Sequence, residues 1–313
     1  MHVLVTGGAG FIGSHLVEAL LDRGDCVTVL DSFDSYYDPA RKRANVAGWG
    51  GRARVIEGDI RDRAVLARSL EGVDAVVHLA ARAGVRASLV DPALYVDVNV
   101  TGTQVLLDGL RLAGIDRLVY ASSSSVYGAR SDGPFLETDA VLAPVSPYAA
   151  TKLAGEYLCR AASHSHGLQV SCMRLFTVYG QRQRPEMAIH LFARRALAGL
   201  PVAQFGDGSS RRDYTFVSDI VTGLVAALDR PRPFRIYNLG NGAPITLADL
   251  MRGVEQVFGA RVDRQSWPDQ PGDVPLTWAG VDRARDELGY EPQVSLTSGL
   301  QRFRAWFLAQ QDS

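Results

Sequence analysis

A tyrosine and a lysine stand four residues apart in the segment SPYAATK, residues 146–152. Ser146 and Pro147 predict a helix start, with the serine at the N-cap and the proline at the first helical position. Tyr148 and Lys152 then share one face of the helix. An ammonium group near a phenol is expected to lower the pKa of the phenol from about 10 and so prepare it for proton transfer near neutral pH. The alternative is a surface pair with no catalytic role.

Four consecutive serines, Ser122 to Ser125, follow the apolar segment 117–121. An apolar segment of this length predicts a buried strand, and the serines are then expected at the carboxyl edge of a sheet, where open α/β sheets bind their ligands. One of the hydroxyls can share a substrate's proton with Tyr148. A polar loop is the alternative interpretation.

A glycine-rich segment near the start predicts a dinucleotide site. In VLVTGGAGFIG, residues 3–13, glycines stand at positions 7, 8, 10 and 13, between a predicted strand and a predicted helix. Glycines at this spacing allow a tight turn, and they let backbone N–H groups approach a pyrophosphate at a helix N-terminus. A purely structural turn is the alternative.

Two aspartates follow the next predicted strands. Asp31 ends the second strand, where a carboxylate accepts hydrogen bonds from the adenosine ribose and repels a 2′-phosphate, so NAD is favoured over NADP. The basic residues 41–43 lie close in sequence and can soften that preference. Asp59 follows the third strand and is a candidate contact for the adenine amino group, with a solvated loop aspartate as the alternative.

Short apolar runs alternate with helical patterns around these motifs. Predicted strands cover residues 3–5, 27–30, 54–57, 75–79, 117–121 and 170–175, and predicted helices cover about 13–23, 63–70 and 98–112. Apolar strands without clean alternation, separated by helices, indicate a parallel sheet buried on both faces. We therefore predict an α/β fold with a doubly wound parallel Rossmann sheet.

The domain organisation follows from the same pattern. Residues 1–180 are predicted to form the NAD-binding Rossmann domain, with segments near 212–240 returning to it, among them the strand-like segment 234–238. Prolines are frequent after about residue 180, and residues 181–313 are expected to form mainly a smaller lobe that binds the substrate. Helices are predicted there at 247–258 and 296–308.

The composition excludes several classes of protein. The 313 residues have a formal net charge of −1, so no excess of positive charge indicates nucleic acid or an anionic membrane surface. Three scattered cysteines, Cys26, Cys159 and Cys172, favour reduced thiols over a disulfide framework or a metal site. No apolar run reaches about 18 residues, and the chain enters a strand pattern at once without a signal peptide. We expect a cytoplasmic protein without a metal.

Together these motifs resemble the extended branch of the short-chain dehydrogenase/reductase superfamily, in its nucleotide-sugar epimerase and dehydratase group. The resemblance covers nearly the whole chain. It includes residues 7–13, 78–81, 99–103, 122–128, 211–214, 237–240 and 271–275, with Tyr148 and Lys152. Within the group, residues 36–43, 83–89 and 184–188 resemble UDP-glucuronate 4-epimerases.

The resemblance implies an isomerase that holds and reuses NAD and binds a UDP-sugar. It implies catalytic roles for Tyr148, Lys152 and Ser123. Cofactor contacts are expected at Gly7, Gly10, Phe11, Ile12, Gly13, Asp31, Asp59, Ile60, Leu79, Ala80, Ala81, Asn99, Tyr148 and Lys152. Substrate contacts are expected at Arg86, Ser88, Ser124, Ser125, Thr177, Arg182, Arg184, Met187, Arg212 and Asp273. Arg212 is expected to contact a nucleotide phosphate.

The serine run also discriminates between the reactions of the group. The 4,6-dehydratases place Asp-Glu directly after the catalytic threonine, because elimination of water needs an acid and a base. UDP-glucuronate decarboxylases place a glutamate directly before Val-Tyr-Gly, whereas this chain has Ser124 and Ser125 at these places. Gln270 stands where UDP-galactose 4-epimerases commonly have an arginine. The predicted reaction is therefore NAD-dependent 4-epimerisation of UDP-glucuronate to UDP-galacturonate, through a 4-keto intermediate.

A glucuronate substrate adds one requirement, because its 4-keto form is a β-keto acid that loses carbon dioxide readily. Ser125, Thr177 and one of Arg86, Arg182 and Arg184 are the candidates to hold the carboxylate. Alternatives to the predicted reaction are UDP-glucose/galactose 4-epimerisation, UDP-glucuronate decarboxylation and, in a different class, a non-catalytic NAD-binding regulator.

The resemblance also implies a homodimer. The family often dimerises through helices that flank the catalytic tyrosine. Candidate interface residues on these predicted helices are Leu106, Leu107, Leu110, Leu153 and Leu158. Helix packing within the monomer explains these leucines equally well.

Overall fold

The structure is a computed structural model that describes residues 1–140, 142–270 and 272–310. Pro271, the first residue of the motif at 271–275, and the last three residues of the predicted C-terminal lobe lie outside the described residues. The strands are β1 (His2–Thr6), β2 (Cys26–Asp31), β3 (Arg54–Glu57), β4 (Ala75–His78), β5 (Arg117–Ser123), β6 (Gln169–Leu175), β7 (Thr177–Tyr179), β8 (Val202–Phe205), β9 (Arg211–Arg212), β10 (Tyr214–Phe216), β11 (Phe234–Leu239), β12 (Ile245–Thr246) and β13 (Arg264–Trp267).

The helices alternate with these strands. They are α1 (Phe11–Asp22), α2 (Pro39–Ala47), α3 (Arg63–Ser69), α4 (Val85–Val90), α5 (Pro92–Val96), α6 (Gly102–Ala113), α7 (Pro147–His166), α8 (Ala188–Leu197), α9 (Val217–Asp229), α10 (Leu247–Phe258), α11 (Asp282–Leu288) and α12 (Leu296–Ala309). A π-helical segment, Asp97–Thr101, leads into α6, and a 3₁₀ turn, Ser124–Tyr127, follows β5.

Seven parallel strands form the central sheet in the order β3-β2-β1-β4-β5-β6-β11. The first six follow the order of doubly wound dinucleotide-binding sheets, and the winding reverses between β1 and β4. The predicted α/β Rossmann fold is confirmed. The segment at 234–238 lies in β11, which pairs with β6 at the edge of the sheet. Division of the chain into two domains near residue 180 remains a prediction.

Alternate residues of each strand point to opposite faces of the sheet and belong to two separate apolar cores. Val3 and Val5 of β1 belong to one apolar core, and Leu4 between them belongs to the other. Helices α1 and α9 pack together on the first side, and α6 packs against α3 and α7 on the second. Because both faces are covered, the strands have no polar side, which explains their continuous apolar runs.

The leucines predicted for a dimer interface fall into two groups. Leu106, Leu107 and Leu110 are at most 5% exposed and belong to the second core, so they are unavailable to a partner. Leu153 and Leu158 on α7 are partly exposed but pack against the two cores. Leu106, Leu107 and Leu110 therefore pack within the monomer, as the alternative explanation predicts.

The segments from β7 onward include three small strand pairs and a helical group. Strand β7 pairs with β10, β9 with β12 and β8 with β13, while α10 packs against α8 and α12. The pairing of β7 with β10 places Thr177 opposite Tyr214, two residues after Arg212. Within the described residues, no helix combines the length and the apolar character that crossing a membrane requires.

Candidate active site

A cavity of about 530 Å³ lies along the carboxyl ends of the strands, a volume within the usual range of small-molecule sites. Segments from both halves of the chain line it. The predicted site residues that line it are Gly7, Gly10, Phe11, Ile12, Gly13, Asp31, Asp59, Ile60, Leu79, Ala80, Ala81, Ser123, Ser124, Ser125, Tyr148, Lys152, Thr177, Arg184, Met187, Arg212 and Asp273.

Asn99 and Ser88, two of the predicted contacts, are not among the residues that line the cavity. Asn99 is 2% exposed and holds the backbone of Arg82, accepting from its N–H at 2.7 Å and donating to its carbonyl at 3.0 Å. Ser88 is fully buried and donates to the carbonyl of Val85 within α4. In this structure both side chains support the loop and helix that border the cavity.

Arg86 and Arg182 are also absent from the cavity lining. Arg86 pairs with Asp273 at 3.0 Å, and its guanidinium carbon lies 4.5 Å from the centre of the Phe205 ring. Arg182 has a left-handed backbone with φ of 62° and pairs with Glu18 of α1 at 2.6 Å. Of the three arginines considered for the sugar carboxylate, Arg184 alone lines the cavity among the described residues.

The glycine-rich turn between β1 and α1 leaves room for a ligand's phosphates. Gly7 has φ of 69°, and a Cβ there would lie 2.7 Å from the backbone nitrogen of Ala80. A Cβ on Gly13 would collide with the carbonyl oxygen of Gly7. Gly10 is the N-cap of α1, so the first-turn N–H groups face the cavity without a capping side chain between them. This arrangement fits the pyrophosphate of a dinucleotide.

Asp31 is held firmly at the end of β2. One carboxylate oxygen accepts from the N–H of Ala9 at 3.1 Å, and the other accepts from the N–H of Phe33 at 2.9 Å. Lys42 is buried and pairs with Asp31 at 3.3 Å. The structure therefore places a fixed carboxylate with a lysine beside it where the sequence predicts the ribose contact.

Local sequence positions the catalytic pair at the start of α7. The Ser146 hydroxyl accepts from the N–H of Ala149 at 3.1 Å, and Pro147 occupies the first helical position, as predicted. Tyr148 and Lys152 both line the cavity. Across from them, Ser123 ends β5 and its hydroxyl accepts from the Ser125 hydroxyl at 2.9 Å.

The expected effect of Lys152 on Tyr148 is wrong in this structure. Burial raises the pKa of Tyr148, opposed by a hydrogen bond with Ser123 and by the charge of Arg184. The Lys152 ammonium instead donates to the carbonyl of Ala121 at 2.8 Å, and burial lowers the pKa of Lys152 to about 8. The Ala121 carbonyl of β5 thus accepts the hydrogen bond from Lys152, whereas helical spacing alone would place the ammonium beside the Tyr148 hydroxyl.

Arg184 lines the same cavity as Tyr148. Its Nε donates to Glu186 at 2.6 Å, and its side chain is 22% exposed. Its charge lowers the pKa of Tyr148, against the effect of burial. Arg212 lines another part of the wall, where burial lowers its pKa and the charge of Asp273 raises it.

Sequence reasoning missed two groups of residues. Tyr36 and Arg82 line the cavity but were not among the predicted contacts. Tyr36 begins the segment 36–43 that resembles UDP-glucuronate 4-epimerases, and Arg82 follows β4 at the carboxyl edge, so each had a signal. Beneath the site, the Glu156 carboxylate accepts from Arg174 at 2.9 and 2.8 Å and from Ser122 at 2.5 Å, with both charged side chains almost fully buried. Glu156 follows Lys152 by four residues, a spacing that marks the same helix face.

The sheet, the glycine turn and the tyrosine–lysine pair define a Rossmann enzyme that binds a dinucleotide. A sequence model of the NAD dependent epimerase/dehydratase family matches residues 3–240, and the chain belongs to this family. NAD is its cofactor, which the glycine turn and Asp31 fit.

Relatives of this family are similar over nearly the whole chain. The chain is 41% identical to UDP-glucuronate 4-epimerase 1 of Arabidopsis thaliana, over 98% of this chain and 76% of that protein. It is 40% identical to the UDP-glucuronate 4-epimerase of Thermodesulfobacterium geofontis, over 97% of this chain and 95% of that protein. The crystal structure of UDP-glucuronic acid 4-epimerase from Bacillus cereus, in complex with UDP-glucuronic acid and NAD, is similar with a TM-score of 0.94. That protein is 35% identical, and the match covers 99% of this chain and 100% of the other.

Proposed function

We propose that the protein is an NAD-dependent UDP-glucuronate 4-epimerase, an isomerase that interconverts UDP-glucuronate and UDP-galacturonate. The observation that carries this proposal is that Arg184, alone of the three candidate arginines, lines the same cavity as Tyr148 among the described residues. The sugar's carboxylate is attached to C5, next to the C4 where the configuration changes. A cation for that carboxylate must therefore lie near the group that acts on the C4 hydroxyl.

The chain's own residues handle the proton and the position of the sugar. Tyr148 takes the proton from the C4 hydroxyl in its phenolate form, which the hydrogen bond with Ser123 and the charge of Arg184 favour against the effect of burial. When bound, NAD supplies reversible hydride acceptance at C4. The glycine turn, Asp31 and Lys152 would hold the cofactor. Arg212 anchors the nucleotide diphosphate while the sugar turns, so binding energy is used away from the reacting carbon.

The carboxylate needs a fixed orientation during the reaction. A β-keto acid loses carbon dioxide when the bond to the carboxylate aligns with the carbonyl π system. Arg184 can donate two parallel hydrogen bonds to the carboxylate. Thr177 lines the same cavity and offers a hydroxyl donor, and Ser125 offers another once its hydroxyl turns away from Ser123. Hydrogen bonds from these three side chains to one carboxylate fix its rotation and keep the bond out of alignment.

The charges of the cavity favour epimerisation over elimination. Among the described residues that line it, every carboxylate is paired with a basic side chain. The pairs are Asp31 with Lys42, Asp34 with Arg82, Asp59 with Arg61 and Asp273 with Arg86. Elimination of water requires a carboxylic acid free to give and take a proton, whereas oxidation and re-reduction at C4 requires only Tyr148 and the cofactor.

The test is incubation of the purified protein with UDP-glucuronate, without added cofactor, followed by proton NMR. UDP-galacturonate that accumulates to a stable mixture establishes the reaction, the substrate and the retained NAD. A pentose product with carbon dioxide means decarboxylation, and conversion of UDP-galactose alone means the other epimerase. Tyr148→Phe is expected to abolish turnover while NAD stays bound; undiminished turnover contradicts the role of Tyr148.

We also propose that the protein is a cytoplasmic homodimer. Three free cysteines support a reducing compartment. The surface that supports a dimer lies on α7, where Tyr157 is 60% exposed, and on the adjoining α5, where Val96 is 50% exposed. Sedimentation equilibrium tests the dimer, with Tyr157→Glu expected to shift the mass towards the monomer.

A further inference from the structure

The Arg184 guanidinium is held at two places by the protein itself. Its Nε donates to the Glu186 carboxylate at 2.6 Å, and its guanidinium carbon lies 5.8 Å from the centre of the Tyr36 ring. The ring and the carboxylate come from different segments, residue 36 before α2 and residue 186 before α8. A long, flexible side chain is thereby restricted before a ligand enters.

The contact at Nε determines which donors remain for a ligand. Arginine presents N–H donors in a fixed planar fork, and a carboxylate binds it best through two parallel bonds. Glu186 is 42% exposed at its side chain and binds Nε, while Arg184 lines the cavity. The terminal Nη groups are therefore the donors available to a carboxylate in the cavity.

The Tyr36 ring is itself fixed by its surroundings. The guanidinium carbon of Arg82 lies 5.6 Å from the ring centre, and Arg82 pairs with Asp34 at 2.6 Å. The backbone of Gly84 approaches the Tyr36 hydroxyl so closely that a Cβ there would lie 2.8 Å from it. Two cations thus share one ring, and each has its own carboxylate partner to offset their repulsion.

We propose that Tyr36 and Glu186 are positioning residues that give the site its selectivity for a UDP-sugar with a carboxylate at C6. This inference rests on the proposed function, because that function assigns Arg184 to the sugar carboxylate, and Tyr36 and Glu186 position Arg184. A fixed guanidinium loses little conformational freedom on binding a carboxylate, so the affinity for an acidic sugar rises. A neutral sugar such as the glucose of UDP-glucose gains nothing from the same arrangement.

Two variants remove one support each. Tyr36→Leu keeps an apolar side chain but removes the π face, and Glu186→Gln keeps the shape but removes the charge. Each is expected to lower the affinity of the NAD-loaded protein for UDP-glucuronate roughly 2- to 5-fold, the range of a partly exposed cation–π contact or ion pair. The affinity for UDP-glucose is expected to change less than about twofold, within the scatter of contacts that do not involve the carboxylate.

Conservative variants at the same positions, and a variant of an ion pair outside the cavity, distinguish a positioning role from a general loss of structure. Tyr36→Phe retains the ring and Glu186→Asp retains the charge, so both are expected to keep most of the selectivity that Leu and Gln lose. Glu57→Gln is the matched control, because Glu57 also pairs with an arginine, Arg43 at 3.0 Å, but does not line the cavity. Its selectivity is expected to equal that of the unmodified chain.

Binding of both UDP-sugars to every variant is measured by calorimetry, alongside KM and kcat. A selective loss for UDP-glucuronate supports the proposal. Equal losses for both sugars overturn it, because they indicate a merely structural role. Tighter binding of UDP-glucuronate to Glu186→Gln also overturns it, since Glu186 would then compete with the substrate. If the unmodified chain binds UDP-glucuronate without epimerising it, the proposed function fails while the binding comparison still decides this inference. If it does not bind that sugar, both fail.

Discussion

The buried ion pair beneath the active site predicts a large and specific loss of stability. Glu156 on α7 is 4% exposed at its side chain, and Arg174 on β6 is 2% exposed. The Glu156 carboxylate accepts three hydrogen bonds, two from Arg174 and one from Ser122 at the end of β5. Glu156→Gln keeps the volume of the side chain, so its effect isolates the charge.

The magnitude follows from what remains after the substitution. The Arg174 guanidinium stays buried without a counter-ion, and one of its nitrogens, Nη1, is already buried without a hydrogen-bond partner among the described residues. Breaking a buried pair on one side costs about 3–5 kcal/mol, because the desolvated charge left behind is uncompensated. We expect Glu156→Gln to lower the free energy of unfolding by an amount in that range.

Urea denaturation at a fixed NAD concentration measures this loss, since bound cofactor itself raises the apparent stability. The double variant Glu156→Leu with Arg174→Met serves as the control, because apolar residues of similar volume often replace a buried pair without loss. It should recover most of the stability. A loss below about 1 kcal/mol in Glu156→Gln, the value of a surface pair, would show that water reaches this site and would refute the reasoning.

Three further outcomes are expected. Gly13→Ala should lose bound NAD, measured by absorbance of the released cofactor, because the added Cβ collides with the Gly7 carbonyl. Burial lowers the pKa of folded Lys152 from 10.5 to about 8, so between these pH values the unfolded chain binds more protons than the folded one. The free energy of unfolding of the unmodified protein should therefore rise with pH across this window. Lys152→Met should abolish that rise. Urea midpoints across these pH values check it, and an equal rise in both proteins contradicts it. Arg212→Ala should lower kcat/KM for UDP-glucuronate and UDP-glucose alike, by roughly 10- to 150-fold for one charged contact, whereas an effect on one sugar alone contradicts an anchor on the shared diphosphate.

The strands of the central sheet were predictable because burial on both faces leaves a continuous apolar run in the sequence. Helices with one apolar stripe were also predictable, and α10 has the predicted bounds. Helix α2 was missed because Lys42 is its one buried residue, so no stripe of apolar residues marks it. Helix α9 was missed for the opposite reason, since its apolar residues follow β10 directly and without a capping side chain to mark its start.

The cofactor side of the site was predictable from local motifs, because a glycine turn and the strand end after it are contiguous in sequence. The substrate side is built from residues far apart in the chain. Arg86 meets Asp273 across 187 positions, and Arg82 meets Asp34 across 48. Sequence spacing gives no means of choosing between Arg86, Arg182 and Arg184 for the carboxylate. Only the fold shows that the first two are engaged elsewhere.

The two lysines of the chain show why residue type matters beyond charge. Lys42 and Lys152 are its only lysines, and both are buried against the cavity, Lys42 on Asp31 and Lys152 on the Ala121 carbonyl. An ammonium is a compact charge whose pKa shifts when it is buried, whereas a guanidinium stays charged and needs a planar array of acceptors. At Lys152 the space against β5 offers one carbonyl rather than a carboxylate. A group that can lose its proton fits there, next to the tyrosine that must exchange one.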